Sequence, residues 1–514
     1  MVFVSAMKSK TLQTRAFSVS AALLAGLFFT MQGCGSDDPA PSNPGPSGSA
    51  GENSGAEAGA GGEAGAKVSS AGAGGQGGDG AGGQNNAGGQ GGDAGGQAGM
   101  AGQGGGAGGA GGAGGDGIDA LPLPTIAAGN DHTCAISDAG ALRCWGLGDL
   151  GRLGYGNQFT IGDDEAPKDA GDVSVGGKVL QVVLGNKHTC ALLEGGSVRC
   201  WGEAGLAGKL GYGNEVTIGD GELPSSVGTV PIGGTVVQLA AGTDHTCALL
   251  DGGNVRCWGE GDDGRLGYGN ESDIGDNETP EDAGDVAVGG KVIQLTAGTS
   301  HTCALLDNGN VRCWGNNIMG QLGYPGEGTI GVSDTPEDAG DVDVGGKVIQ
   351  LAAGGNHTCA LIEGGDVRCW GTGNSGELGQ PGTAAIGMFS APAASGAIDL
   401  GGEAVQLSTH NYHVCAELTG GKVRCWGDGG NGPLGYGNEE DLGDTETPAS
   451  AGDVDVGATV VEIAAGGQHT CVKLEGSAIR CWGYRLYGVL GYPNLVEDIG
   501  DDEPASEAGN VEVF

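Results

Sequence analysis

The chain is poor in positive charge. Only 22 Lys plus Arg stand against 64 Asp plus Glu in 514 residues, a formal net charge of −42. A surface this acidic repels phosphate backbones, which excludes nucleic acid as a partner. Aromatic residues are scarce, at 4%, so wherever they gather the position carries information. No proline occurs between Pro46 and Pro122, and Gly and Ala dominate that stretch, so it offers neither a collagen-like repeat nor a core. Long apolar runs are missing too. Ala16 to Met31, with Leu23 to Phe29 at its heart, falls short of the ~20 residues that a membrane-spanning helix needs. There is no Gly-x-Ser-x-Gly elbow, His-Glu-x-x-His pair or Gly-x-x-x-x-Gly-Lys loop. The chain is therefore read as a non-enzyme, with no cofactor and no metal site.

What the chain has is a repeat. His132, His188, His245, His301, His357, His413 and His469 follow one another at 56 residues, 57 once. Each opens a unit such as His245-Thr-Cys-Ala-Leu-Leu-Asp-Gly-Gly-Asn-Val-Arg-Cys-Trp-Gly259, and the seven units hold all seven tryptophans. Upstream, Lys291-Val-Ile-Gln-Leu-Thr-Ala-Gly298 alternates apolar and polar residues, the pattern of a half-buried strand. Thr302 to Leu306 and Val311 to Trp314 flank Asp307-Asn-Gly-Asn310, a hairpin signal. Gly340-Asp-Val-Asp-Val-Gly345 is read as a fourth short strand. One such sheet cannot bury its own faces, whereas a ring of them can. The recurring Trp is expected to fill the space between blades, and the recurring His to hydrogen-bond to backbone there.

The cysteines set the hairpin register. With a three-residue loop at Asp251-Gly252-Gly253, Leu249 faces Val255 and Cys247 faces Cys257; a two-residue loop would put the two cysteines on opposite faces. Seven intra-blade disulfides are expected: Cys134–Cys144, Cys190–Cys200, Cys247–Cys257, Cys303–Cys313, Cys359–Cys369, Cys415–Cys425 and Cys471–Cys481. Each closes an 11-residue loop, which in the chain-entropy account stabilises by roughly 3 kcal/mol. Fifteen cysteines make seven pairs and leave Cys34 over.

The motifs Ala-Ala-Gly-x-x-His-Thr-Cys-Ala-Leu, Gly-x-Val-Arg-Cys-Trp-Gly and Gly320-Gln-Leu-Gly-Tyr324 resemble the regulator of chromosome condensation repeat, over about residues 125–514. The resemblance implies an all-β fold, a seven-bladed β-propeller, here over 118–514. It is silent on activity, because one fold hosts many.

Residues 1–33 read as an export signal, with Lys8, Lys10 and Arg15 before the apolar stretch. Met31-Gln-Gly-Cys34 resembles a bacterial lipobox, which would make Cys34 the lipidated first residue of the mature chain. Residues 34–117 read as a disordered Gly/Ala-rich linker, a flexible coil of roughly 50 Å. Ala508-Gly-Asn-Val-Glu-Val-Phe514 matches Ala283 to Val288, while Ile118 to Pro124 lacks that pattern, so the C-terminal segment is expected to complete the first blade. The acidic loops at Asp163, Asp164, Asp220, Asp276, Asp444, Asp501 and Asp502 are read as solvated surface, their spacing differing from that of a calcium-binding loop.

Together these features predict an exported, monomeric, lipid-anchored propeller at the cell envelope, on the outer membrane or cell surface. It touches the membrane only through its anchor and acts as a binding scaffold for a protein or glycan. An inhibitor of a secreted enzyme is the alternative; a guanine-nucleotide exchange factor, as in nuclear relatives of the repeat, is a weaker one. Recognition needs asymmetry, and repeats 6 and 7 depart from the pattern at His410, Tyr412, Tyr484, Arg485 and Tyr487, the candidate binding patch.

Overall fold

A computed structural model describes residues 122–514. The export signal, Cys34, the linker and the first four residues of the expected propeller lie outside the described residues. The chain forms seven antiparallel sheets in sequence order. The inner strands are Ile126–Ala128, Val179–Leu184, Val236–Ala241, Val292–Ala297, Val348–Ala353, Ala404–Thr409 and Val460–Ala465. Each packs on the next, and the seventh packs on the first, which closes a seven-bladed propeller around a channel of about 1150 Å³. The His-x-Cys strand is the middle one of each blade and the Arg-Cys-Trp strand follows it, as in His301–Leu306 and Val311–Gly315 of blade 4.

The hairpin register agrees with the sequence reading. Leu249 faces Val255 and Cys247 faces Cys257, and Gly253, at φ 94°, supplies the left-handed turn. The seven disulfides join these opposed pairs, with Cα atoms 4.0–4.1 Å apart. Seven bonds of this kind suit an oxidising compartment.

The fourth strand comes from elsewhere than expected. Gly315 bridges Ile330, and only blade 5 extends this pairing to a short strand, Ala385–Ile386. The Gly340 to Gly345 segment gives one N–H, from Val342, to the Val311 carbonyl. It spends Val342 and Val344 on the core and offers the Val344 carbonyl to Arg368 of the next blade. Its alternation is thus the mark of a strap between blades. The same holds at the C-terminus, which corrects the assignment to blade 1. Val511 bridges Ile479 of blade 7, while the Val513 carbonyl accepts from Arg143 and Glu512 pairs with Lys168, both of blade 1.

Side chains that recur in every blade hold neighbouring blades together. All seven tryptophans are fully buried; Trp201 donates to the Arg152 carbonyl of the preceding blade, and Trp145, Trp258, Trp426 and Trp482 do likewise with Val489, Lys209, Glu377 and Pro433. The histidines bond a threonine hydroxyl of the next blade rather than backbone. His132 pairs with Thr189, and so around the ring to His469 with Thr133, at 2.7–2.9 Å. At the inner strands Gln181 clasps both backbone groups of Leu239 in the next blade, and Gln294 and Gln350 repeat the clasp. At the closing joint the clasp is a carboxylate: Glu462 accepts from the Thr125 and Ile126 N–H groups and from the Thr125 hydroxyl, at 2.6–2.8 Å.

Candidate binding site

The described residues form two concave regions of interest. The central channel is lined by inner-strand residues that every blade supplies. A β-bulge in blades 2 to 7 skips one residue of the pairing, as at Ile293 between Val292 and Gln294, and Val237, Ile293, Val405 and Val461 line the channel from that position. The second region is a cleft of about 200 Å³ at the joint of blades 6, 7 and 1, on the face that carries the turns before each His. Tyr412, Tyr484 and Tyr487 line it together with Asn130, Asp131, Asn411, Gln468 and Val489.

The cleft coincides with the short side chains at one recurring position. The residue whose carbonyl anchors the next blade's Trp also projects into the seam between blades. In blades 1 to 3 it is a cation held by carboxylates: Arg152 by Asp149 and Asp131, Lys209 by Glu203 and Asp244, Arg265 by Glu260. Arg152 reaches across to the Asn186 carbonyl and is 1% exposed, so its seam is filled. Blades 4 and 5 place the buried Gln321 and Glu377 there, and burial, the largest effect, raises the Glu377 carboxyl above its usual range. Blade 6 places Pro433 there and blade 7 Val489, both short and uncharged, and the cleft lies where blades 6, 7 and 1 meet.

The tyrosines divide by role. Six of the nine occupy the Leu-Gly-Tyr position, where the hydroxyl bonds backbone of its own blade: Tyr155, Tyr268, Tyr324, Tyr436 and Tyr492 donate to a glycine carbonyl and Tyr212 to Cys200. In blade 5 Gln380 takes over, donating to Gly396. The three tyrosines the repeat does not require, Tyr412, Tyr484 and Tyr487, all line the cleft. Tyr412 is 50% exposed and Tyr487 47%. Tyr487 sits at φ 60°, a left-handed turn that Leu150, Asp263 and Asn431 adopt in other blades. A bulky residue there is strained.

Two residues of the expected patch lie elsewhere. His410 lines the central channel, where burial pushes its imidazole down to about 4. Other blades carry glycine at this position, and at Gly185 an added Cβ would come within 2.1 Å of the His188 ring. Arg485 does not line the cleft; its guanidinium lies 3.8 Å from Asp498, so it is not the free cation that would steer an anion. Sequence reasoning missed Asn130, Asp131 and Val489, which the fold brings from the far ends of the repeat array. No sequence signal singled out Val489, because the series Arg152, Lys209, Arg265 already loses its cation at Gln321, Glu377 and Pro433.

Near the cleft, Arg152 is shared between Asp131, 3.6 Å away, and the closer Asp149. Burial, the leading cause, raises Asp131 above the usual carboxylate range, opposed by Arg152 and reinforced by Asp149. On the acidic loops, Asp163, Asp164 and Glu165, and likewise Asp501, Asp502 and Glu503, bring carboxylate oxygens within 4.8 Å of one another. Partial burial followed by the neighbouring carboxylates pushes Glu165 and Glu503 up to about 7.

A family profile described as "Regulator of chromosome condensation (RCC1) repeat" matches residues 125–152, 179–205, 236–265, 292–321 and 348–377, and a second of the same description matches 252–305 and 308–361. The ultraviolet-B receptor UVR8 of Arabidopsis thaliana is 32% identical over 323 residues, 62% of this chain and 68% of the receptor. The human E3 ubiquitin-protein ligase HERC2 is 30% identical over 48% of this chain, a match that spans only 5% of the ligase. Among solved structures, yeast RCC1 (Prp20) bound to Kap60 superposes with a TM-score of 0.58 at 19% identity, covering 77% of this chain and 88% of that one. Human WBSCR16 gives a TM-score of 0.55 at 23% identity, covering 68% and 87%. At these identities the structures show the fold alone.

Proposed function

We propose that this chain, which belongs to the regulator of chromosome condensation repeat family, is a lipid-anchored, extracytoplasmic binding scaffold that engages a protein or glycan through the tyrosine-lined cleft at the joint of blades 6, 7 and 1. The observation that carries this reading is the placement of the tyrosines. In a chain with 4% aromatic residues, every tyrosine the repeat does not need lines one seam. Exposed aromatic anchors grouped in a concave site are the usual energetic centre of an interface. Yeast RCC1 (Prp20) bound to Kap60 is an instance of a propeller of this kind engaging a protein. Seven disulfides and the lipobox-like Met31-Gln-Gly-Cys34 support a place outside the cytosol.

The test uses the full chain in its natural host. Cys34→Ala should move the protein from the membrane fraction to the soluble one; retention in the membrane would refute the anchor. For the binding surface, immobilised protein should capture a partner from envelope extract, and Tyr487→Ala should cost about 2 kcal/mol or more of affinity if Tyr487 is an anchor. The thermal midpoint should not fall, because the substitution shrinks a strained, half-exposed side chain. Undiminished capture by both Tyr487→Ala and Tyr412→Ala would refute the cleft as the binding surface.

A further inference from the structure

Resting on that reading, we propose that the cleft receives a lysine side chain of a partner protein, its ammonium held among the tyrosine rings and beside the Asp131 carboxylate. The argument begins with charge. Among the described residues no Lys or Arg lines the cleft, and Asp131 does. Arg152, the partner of Asp131, is almost wholly buried and also serves Asp149, leaving two carboxylates to one guanidinium; Arg485, between the lining Tyr484 and Leu486, stands 3.8 Å from Asp498. Around this lies a chain of net charge −42, whose field concentrates cations and repels anionic groups. Next is the lining. A cation near tyrosine rings is attracted by their faces, and the attraction grows where water is excluded, as Val489 at the cleft wall helps to do. Last is the hydrogen-bonding inventory. Gln468 adds a carboxamide acceptor to the Asp131 carboxylate in the lining, while the Asn130 oxygen already accepts from the Asn411 amide. A primary ammonium has three N–H groups to donate. A quaternary ammonium has none and would leave those acceptors unused, so the lining favours lysine over a choline headgroup.

Other blades supply substitutions that keep the fold. Asn356 of blade 5 occupies the place of Asp131 before its histidine, and Asn431 of blade 6 occupies the place of Tyr487 in the same left-handed turn. Asp131→Asn and Tyr487→Asn therefore install residues the ring already uses. The probe is Nα-acetyl-lysine-N-methylamide, titrated into the full-length protein and followed by NMR. Its Nε-acetylated form, which has lost the charge, and phosphatidylcholine vesicles are run in parallel. The lysine probe should bind saturably and weaken at least tenfold in either variant and in high salt, with no binding of the acetylated form or the vesicles. Equal binding of the two lysine forms, indifference to both variants, or vesicle binding that Tyr487→Asn abolishes would each overturn the proposal. If partner capture is lost in Tyr487→Ala but untouched by Asp131→Asn and by excess lysine probe, the cleft binds by other chemistry: the lysine assignment falls while the scaffold reading stands. Capture indifferent to Tyr487→Ala and Tyr412→Ala would instead sink the scaffold reading itself.

Discussion

Thr409 shows how a single residue can look functional and be structural. Six blades follow the histidine with threonine, but blade 6 has Val414. His357 of the preceding blade would lose its partner, yet its Nε2 bonds the Thr409 hydroxyl at 2.7 Å. Two departures from the repeat thus cancel, one hydroxyl moving from the middle strand to the inner one. Thr409→Ala should leave a buried imidazole nitrogen unpaired and cost about 1–3 kcal/mol in chemical denaturation. Adding Val414→Thr should restore most of it; additive losses would show that the two positions do not exchange roles. The unusual Ser408 to Tyr412 stretch therefore mixes three roles that no sequence pattern separates. Thr409 repairs the ring, His410 lines the channel and Tyr412 lines the cleft. The tyrosines themselves were legible as departures from a pattern; which of them share a surface was not, because that depends on loops brought together only by ring closure.

Among elements, the hairpins were the most legible, since period-two alternation and a fixed cysteine spacing admit one register. The fourth strand and the C-terminal segment were misread for a common reason. Asp-Val-x-Val alternates like a strand, but its alternate valines serve an interblade strap, and one N–H rather than a ladder joins it to its sheet. The closing joint adds a chemical distinction. Gln in the inner strand presents one donor and one acceptor to the next blade, which suits a backbone C=O and N–H. Blade 1 presents three donors to Glu462, which only a carboxylate can accept in full. Glu462→Gln, though it installs the residue that other blades carry, should lower stability by about 1–3 kcal/mol. The same change reversed, Gln294→Glu, should also destabilise, by setting a carboxylate against the Leu351 carbonyl. A neutral outcome at Glu462 would mean that the strap and the His469–Thr133 bond hold the joint alone.

For the whole molecule, the histidines act together. All eight are held below their ordinary value, chiefly by burial: His188, His357, His413 and His469 to about 3, His301 and His410 to about 4, His132 and His245 well below. Unfolding restores an ordinary value of 6.5, so between pH 6.5 and 4 the unfolded chain binds more protons and stability falls as pH falls. Each histidine contributes about 1.4 kcal/mol per pH unit in that window, opposed by Glu165 and Glu503, which stand at about 7 in the folded chain and release their protons on unfolding. The thermal midpoint should drop between pH 7 and 5, with a net proton uptake on unfolding of roughly six at pH 5 once the release from Glu165 and Glu503 is subtracted. An uptake near zero would show that the imidazoles titrate in the folded ring. The joint of blades 7 and 1 has a mechanical meaning as well. Thr125 is clasped by Glu462 and Phe514 lies under Arg143, so tension applied to the described ring through either of these segments loads that joint first. A partner seated in the cleft spans the same joint like a rivet, and at a hundredfold excess over its Kd it adds about 2.7 kcal/mol against opening. A propeller tugged from its N-terminal side would then yield later when occupied than when empty, and would report the presence of its partner as resistance to force.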